Sequence, residues 1–125
     1  MTIPVELSYT DSHEWGKFED DVLIVGITDF GQDALGDIVS VETPRVGDNV
    51  AAGHQVAVVE SLKAASDVLA PISGEIIAIN EAVRDEPTKL NAAPYENWIF
   101  KIRPAANAGR ARLVDAAAYA ALIGA

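Results

Sequence analysis

The chain is 125 residues long, half of them hydrophobic, with no cysteine, two histidines and a formal net charge of −10. That length suits one domain, residues 1–125, built on a single modest core. The acidity argues against a nucleic-acid or anionic-membrane partner, either of which needs a basic face. Without a thiol, disulfides and thiol chemistry are excluded, and His13 and His54 stand too far apart in sequence to suggest a metal site or a nucleophile–base pair. The apolar runs are short and broken by Gly, Pro or charge, so no membrane span is expected. No basic leader precedes an apolar stretch, which makes cytoplasmic residence the default expectation.

From the N-terminus, His13 to Ile27 reads as two strands joined by a tight turn at Glu19-Asp20-Asp21, the second being the β-branched run Val22–Ile27. In TDFGQDALG, Asp29 and Gln32 have capping-box spacing and Gly36 supplies a stop, which predicts a short helix capped by Asp29. Residues Gly36–Glu42 match Gly74–Asn80 position by position in residue type, and Val46-Gly47-Asp48 and Val83-Arg84-Asp85 follow at nearly the same offset. Two copies are too few for a solenoid, but they fit two similar halves packed face to face. Between the copies, Gln55–Ser61 and Ser66–Ala70 read as strands. Pro87 suits the start of a helical turn. Trp98–Ile102 reads as a strand, and Ala105–Arg112 as a linker or weak helix. Asp115 is placed to cap a C-terminal helix over Ala116–Ile123, with Tyr119, Leu122 and Ile123 on one face.

Lys63 falls at the tip between the two middle strands, among small, plain residues: Ser61, Leu62, Ala64, Ala65 and Ser66. A Schiff-base lysine needs desolvation or a neighbouring cation to lower its pKa, and a turn tip offers neither. What it does offer is access for a modifying enzyme and freedom to swing, so Lys63 reads as the anchor of a covalently loaded arm.

The run E-S-L-K-A-A-S-D followed by A-P-I-S-G-E-I resembles the lipoyl-attachment segment of the glycine cleavage system H protein family. His13-Glu14-Trp15, Val25-Gly26-Ile27-Thr28-Asp29 and Ala34-Leu35-Gly36-Asp37-Ile38-Val39 resemble its earlier blocks. Leu90-Asn91 with Pro94-Tyr95 and Trp98, then Tyr119-Ala120-Ala121-Leu122, resemble its later ones. The likeness covers almost the whole chain in order. Biotin carriers usually bracket their lysine with methionines, whereas Met1 is the only Met here. The lipoyl domains of 2-oxo acid dehydrogenases usually carry Asp where this chain has Leu62.

The resemblance implies a mainly β fold, a lipoyl/biotinyl-type barrel-sandwich hybrid of two antiparallel sheets with short helices and a C-terminal helix. It implies a monomeric carrier rather than an enzyme, with lipoate joined to Lys63 by an amide bond. The lipoate would be installed by a lipoate ligase or a lipoyl/octanoyl transferase. Such a carrier takes the aminomethyl group of glycine from a pyridoxal-phosphate glycine decarboxylase to a tetrahydrofolate-dependent aminomethyltransferase. A dihydrolipoamide dehydrogenase then reoxidises it. Ser12, Glu14 and Asp67 resemble the family's cleft residues, which receive the loaded arm. No catalytic residue and no metal are implied. A lipoyl relay, handing lipoate on to other lipoyl domains, would use the same lysine. The chain departs from the family's P-Y-G-x-G-W: Pro94-Tyr95-Glu96-Asn97-Trp98 lacks both glycines and is one residue shorter.

Overall fold

The computed structural model describes every residue from Met1 to Ala125. A six-stranded sheet has the order β1 (Ser8–Tyr9), β2 (Glu14–Glu19), β3 (Val22–Ile27), β9 (Phe100–Pro104), β8 (Gly74–Ile79), β5 (Asn49–Val50). A three-stranded sheet has the order β4 (Ile38–Glu42), β6 (Gln55–Ser61), β7 (Ala65–Leu69). Every neighbouring pair is antiparallel. Four short helices complete the chain: α1 (Asp29–Leu35), α2 (Glu81–Asp85), α3 (Lys89–Ala92) and α4 (Ala116–Ile123). This is the mainly β, two-sheet architecture expected from the sequence.

Alternation along the strands supplies the core. Leu23 and Val25 from β3, Ile76 from β8 and Ile102 from β9 face Val41, Ala57, Val59 and Val68 of the smaller sheet across one apolar cluster. Burying each such side chain fully contributes about 1.5–3 kcal/mol. At the β2–β3 turn Asp20 and Asp21 both have positive φ, 50° and 62°. A two-residue turn of that hand matches the twist of the strands, and Asp tolerates it.

A second cluster lies on the outer face of β1 and β2. Leu7, Tyr9 and Trp15 meet Ala116 and Tyr119 of α4, and the rings of Tyr9 and Tyr119 stack with centroids 4.8 Å apart. Trp15 lies flat on its cross-strand partner Gly26, where a Cβ would come within 2.6 Å of the indole. The side-chain carboxylate of Asp115 accepts from the Ala118 N–H at 2.8 Å and caps α4 as expected.

Several local expectations are corrected. Thr28, not Asp29, caps α1: its hydroxyl accepts from the Gly31 N–H at 3.1 Å, while Asp29 becomes the first helical residue and takes the Gln32 amide at 2.8 Å. The strand expected at Trp98–Ile102 runs instead from Phe100 to Pro104. Pro87 opens a turn just ahead of α3, and α2, capped by Asn80, was not anticipated. Of the two readings of Ala105–Arg112, the linker holds: the segment forms turns and no helix. Leu122 is exposed, so α4 rests on Ala116 and Tyr119 without it. The two repeat copies do fall in opposite sheets, as β4 and β8, but the likeness ends there. Val46-Gly47-Asp48 is a turn, and Val83-Arg84-Asp85 belongs to α2.

Gly74 pairs with Pro104 across the sheet and has no room for a side chain. A Cβ there would stand well inside van der Waals contact distance of the Arg103 carbonyl oxygen and 2.6 Å from Ile102 Cγ2. Because backbone cannot yield cheaply, Gly74→Val is expected to destabilise the fold by about 2 kcal/mol or more. Urea unfolding at equilibrium measures this, and an unchanged midpoint would contradict the close approach.

Candidate functional site

The β6–β7 hairpin turns at Leu62-Lys63-Ala64. Ser61 holds the turn: its hydroxyl accepts from the N–H of Ala64 at 3.2 Å and of Lys63 at 3.3 Å, while its own N–H donates to the Ala64 carbonyl at 2.8 Å. Leu62 and Lys63 project into solvent, and Lys63 makes no ion pair. Its stem leans over Gly36 at the end of α1, where a Cβ would stand 3.5 Å from Lys63 Cε.

Below the hairpin, a cleft of about 160 Å³ opens between α1, β6–β7 and the loop entering β2. Ser12, Glu14 and Asp67 all line it, together with His13, Phe30 and Val59. The three polar residues singled out from the sequence therefore share one cavity, whose lining includes Leu35, next to the Gly36 over which Lys63 leans. Asp67 is exposed at the rim. Glu14 is only 1% exposed. Its Oε1 accepts from the Thr10 hydroxyl at 2.5 Å and the Ser12 hydroxyl at 2.6 Å, and its Oε2 accepts from the Leu69 N–H at 3.2 Å. A buried carboxylate needs such donors, since an unpaired one would cost several kcal/mol. Thr10, Leu69 and Phe30 were not anticipated as part of the site.

The loop is shaped by His13, a non-glycine residue at φ 70°. Its ring lies against Phe30 of α1, centroids 4.7 Å apart, and its Nδ1 is 2.8 Å from the Tyr119 hydroxyl. That hydroxyl is in turn 2.8 Å from Oγ1 of Thr28, the cap of α1. One chain of polar contacts thus joins the cleft wall, α4 and α1. Burial lowers the His13 pKa below its usual value, against a smaller upward pull from Glu14 and Asp11. Burial likewise raises Tyr119, which stays a hydroxyl.

The comparisons with known proteins agree with this architecture. The glycine cleavage H-protein family model matches residues 7–125. The chain belongs to the glycine cleavage H-protein family. It is 58% identical to the glycine cleavage system H protein of Paraburkholderia phytofirmans over 126 aligned residues, with all of both chains covered. It is 56% identical to that of Burkholderia cenocepacia over 122 residues, 97% of each. The crystal structure of a glycine cleavage system H protein from Mycobacterium marinum superposes with a TM-score of 0.91 at 39% identity, covering 98% of this chain and 100% of that one.

In this H-protein chain the loop from Pro94 to Trp98 manages without glycine because none of its residues has positive φ. The Asn97 amide donates to the Lys89 and Ala93 carbonyls at 3.0 and 2.9 Å, satisfying the end of α3. The Tyr95 hydroxyl donates to the Thr2 carbonyl and accepts from the Asp29 N–H, and the Trp15 indole donates to the Pro94 carbonyl.

The His13 shift sets a pH dependence. With the folded pKa below the unfolded value of about 6.5, the unfolded chain binds a proton that the native state resists. Stability is therefore lost as pH falls through the unfolded pKa, down to the lower folded one. Asn tolerates positive φ, so His13→Asn keeps the loop while removing the titration. Urea unfolding at pH about 7.5 and about 5.5 is expected to show a smaller loss in the variant than in the wild type. Equal losses would contradict a depressed His13.

Proposed function

We propose that the chain, as one carrier domain over residues 1–125, bears lipoate on Lys63 and carries the aminomethyl group of glycine within a glycine cleavage system. The observation that carries this reading is the pairing of an exposed lysine without an ion pair at a hairpin tip with a cleft lined by the same hairpin that contains a buried carboxylate. The residues present fit the group: the Lys63 side chain is exposed, so its amine, once deprotonated, is open to acylation, and Ser61 orders the turn without covering it. When bound, lipoate supplies the disulfide that this cysteine-free chain lacks and that receives the aminomethyl cargo.

The chain's own contribution is binding and shelter. Ile27, Phe30, Leu35 and Val59 give the cleft apolar walls that exclude water, while Glu14 offers a carboxylate to a primary ammonium. Asp67, at the rim, adds a second acidic group on the same path. Ser12 acts on Glu14 rather than on the cargo directly. On this reading the chain is a carrier, not an enzyme. It meets the pyridoxal-phosphate decarboxylase, the aminomethyltransferase, the dihydrolipoamide dehydrogenase and a lipoate-attaching enzyme in the cytoplasm. Tethering raises the effective concentration of cargo at each of these, and the net charge of −10 favours encounter with basic docking surfaces.

Intact-mass analysis of chain co-expressed with a lipoate ligase tests the attachment. A single lipoyl adduct is expected on wild type and none on Lys63→Arg, which keeps the fold because the position is solvated. An adduct on Lys17, Lys89 or Lys101 would contradict the assignment. The cleft is tested separately with Glu14→Gln, which keeps the side-chain shape but removes the charge. A charge-assisted hydrogen bond is worth about 1.5–3 kcal/mol, so purified aminomethyl-loaded variant is expected to lose its cargo about tenfold faster or more. Lipoylation and reoxidation should be unchanged. Equal half-lives would make Glu14 a purely structural carboxylate.

A further inference from the structure

Arg112 ends a segment with no regular structure and lies a hundred positions from Ser12, yet its Nη2 donates to Ser12 Oγ at 3.1 Å. The same nitrogen is 3.5 Å from Asp11 Oδ1 at the surface. The side chain runs beside Gly53, whose φ is 82°, so close that a Cβ there would lie 3.6 Å from Arg112 Nη1. Its Nε is buried without a hydrogen-bond partner. A guanidinium held in this way has lost much of its freedom before it meets Ser12.

The consequence follows from donor and acceptor counting. Arg has no lone pair to offer, so Ser12 must accept from it, and the single hydroxyl proton of Ser12 is left for Glu14 Oε1 at 2.6 Å. The Thr10 hydroxyl proton is also committed to Oε1 at 2.5 Å, because a carboxylate oxygen can only accept; Thr10 Oγ1 itself accepts from the Glu14 N–H at 3.1 Å and lies 3.3 Å from Ser12 Oγ. A carboxylate has about four acceptor sites. Both sites on Oε1 are filled, and the Leu69 N–H fills one on Oε2. We propose that Arg112 is a positioning residue: by fixing the direction of the Ser12 hydroxyl it saturates Glu14 Oε1 and leaves one acceptor site, on Oε2, for a cationic cargo. The inference rests on the carrier reading of the cleft, and it adds a residue that touches neither cargo nor cofactor.

Two opposed effects separate on substitution. If orientation dominates, removing the guanidinium lets Ser12 rotate, so that the Glu14 carboxylate is no longer pinned with Oε2 towards the cargo and the hold weakens. If charge dominates, removing a cation near Glu14 strengthens that hold. Arg112→Met removes both the donor and the charge. Arg112→Lys keeps the charge and the stem but loses the planar fork, and secures the test if the Met variant folds poorly. The full-length chain is lipoylated, loaded with glycine and decarboxylase, repurified, and followed for spontaneous cargo loss with no partner enzyme present. Arg112→Met is expected to shorten the half-life about fivefold, the effect of one ordinary hydrogen bond. Arg112→Lys should change it in the same direction by less. In a Ser12→Ala background Arg112→Met should add nothing, because it acts through that hydroxyl. In the unmodified chain, the three-bond proton couplings of Ser12 should report one rotamer in wild type and averaging in Arg112→Met.

An unchanged or longer half-life in Arg112→Met, an equal shortening in the Ser12→Ala background, or a Ser12 rotamer indifferent to residue 112 would each overturn the proposal. If Ser12→Ala and Glu14→Gln shorten the half-life while Arg112→Met does not, this inference alone falls. If none of the three shortens it, the cleft reading falls with it.

Discussion

One part-buried hydrogen bond organises the site: the Leu69 N–H on the Glu14 carboxylate. Glu14 opens β2 in the larger sheet and Leu69 closes β7 in the smaller one, so the bond spans the seam between the two layers. It places the lysine hairpin against the loop that forms the cleft wall. A carboxylate with almost no exposure is tolerable only while its donors stay in place. Thr10, Ser12 and Leu69 must therefore be positioned together, and the shape of the cleft follows from that requirement.

Around this bond the rest of the chain acts as a brace. The N-cap of α1, the hydroxyl of Tyr119 on α4 and the imidazole of His13 form one polar line, and Phe30 presses on the His13 ring. α4 is short and rests on a sheet edge only two residues long at β1. Its value lies less in buried area than in delivering Tyr119 to the His13 loop. At the hairpin tip, by contrast, Leu62 and Lys63 are exposed, and the Lys63 stem leans over Gly36.

Much of this was legible in the sequence, and the limits have physical causes. β3, β6 and β8 were readable because β-branched runs bounded by turn residues allow little else, and Lys63 stood out as a lone charge among small, plain residues at a turn tip. The α1 cap slipped by one residue because Thr28 and Asp29 are both good caps, and only the backbone geometry decides between them. Leu122 shares a helical face with Tyr119 and Ile123 in the sequence, but so narrow a sheet edge covers the stripe of Ala116, Tyr119 and, in part, Ile123, and leaves Leu122 exposed. The repeat was visible while both copies were strands and vanished once one copy turned back to pair with the other sheet as β5 and the other entered α2. Of the site, the local trio Ser12, Glu14 and Asp67 was accessible through resemblance. The longer-range contacts were not, because Leu69 reaches Glu14, and Arg112 reaches Ser12, only through tertiary folding, and Arg112 sits in a stretch that reads as a linker.

The central claim is that the lysine hairpin and the cleft are one device, with the loaded arm folding back onto Glu14. It is tested most directly by loading the lipoylated chain from glycine labelled with carbon-13 at its methylene and recording isotope-filtered NOEs from that methylene. The account predicts cross-peaks to the Leu69 amide proton and the Phe30 ring, together with a shifted Leu69 amide resonance. Cross-peaks confined to the arm itself, with the Leu69 amide unmoved, would contradict it.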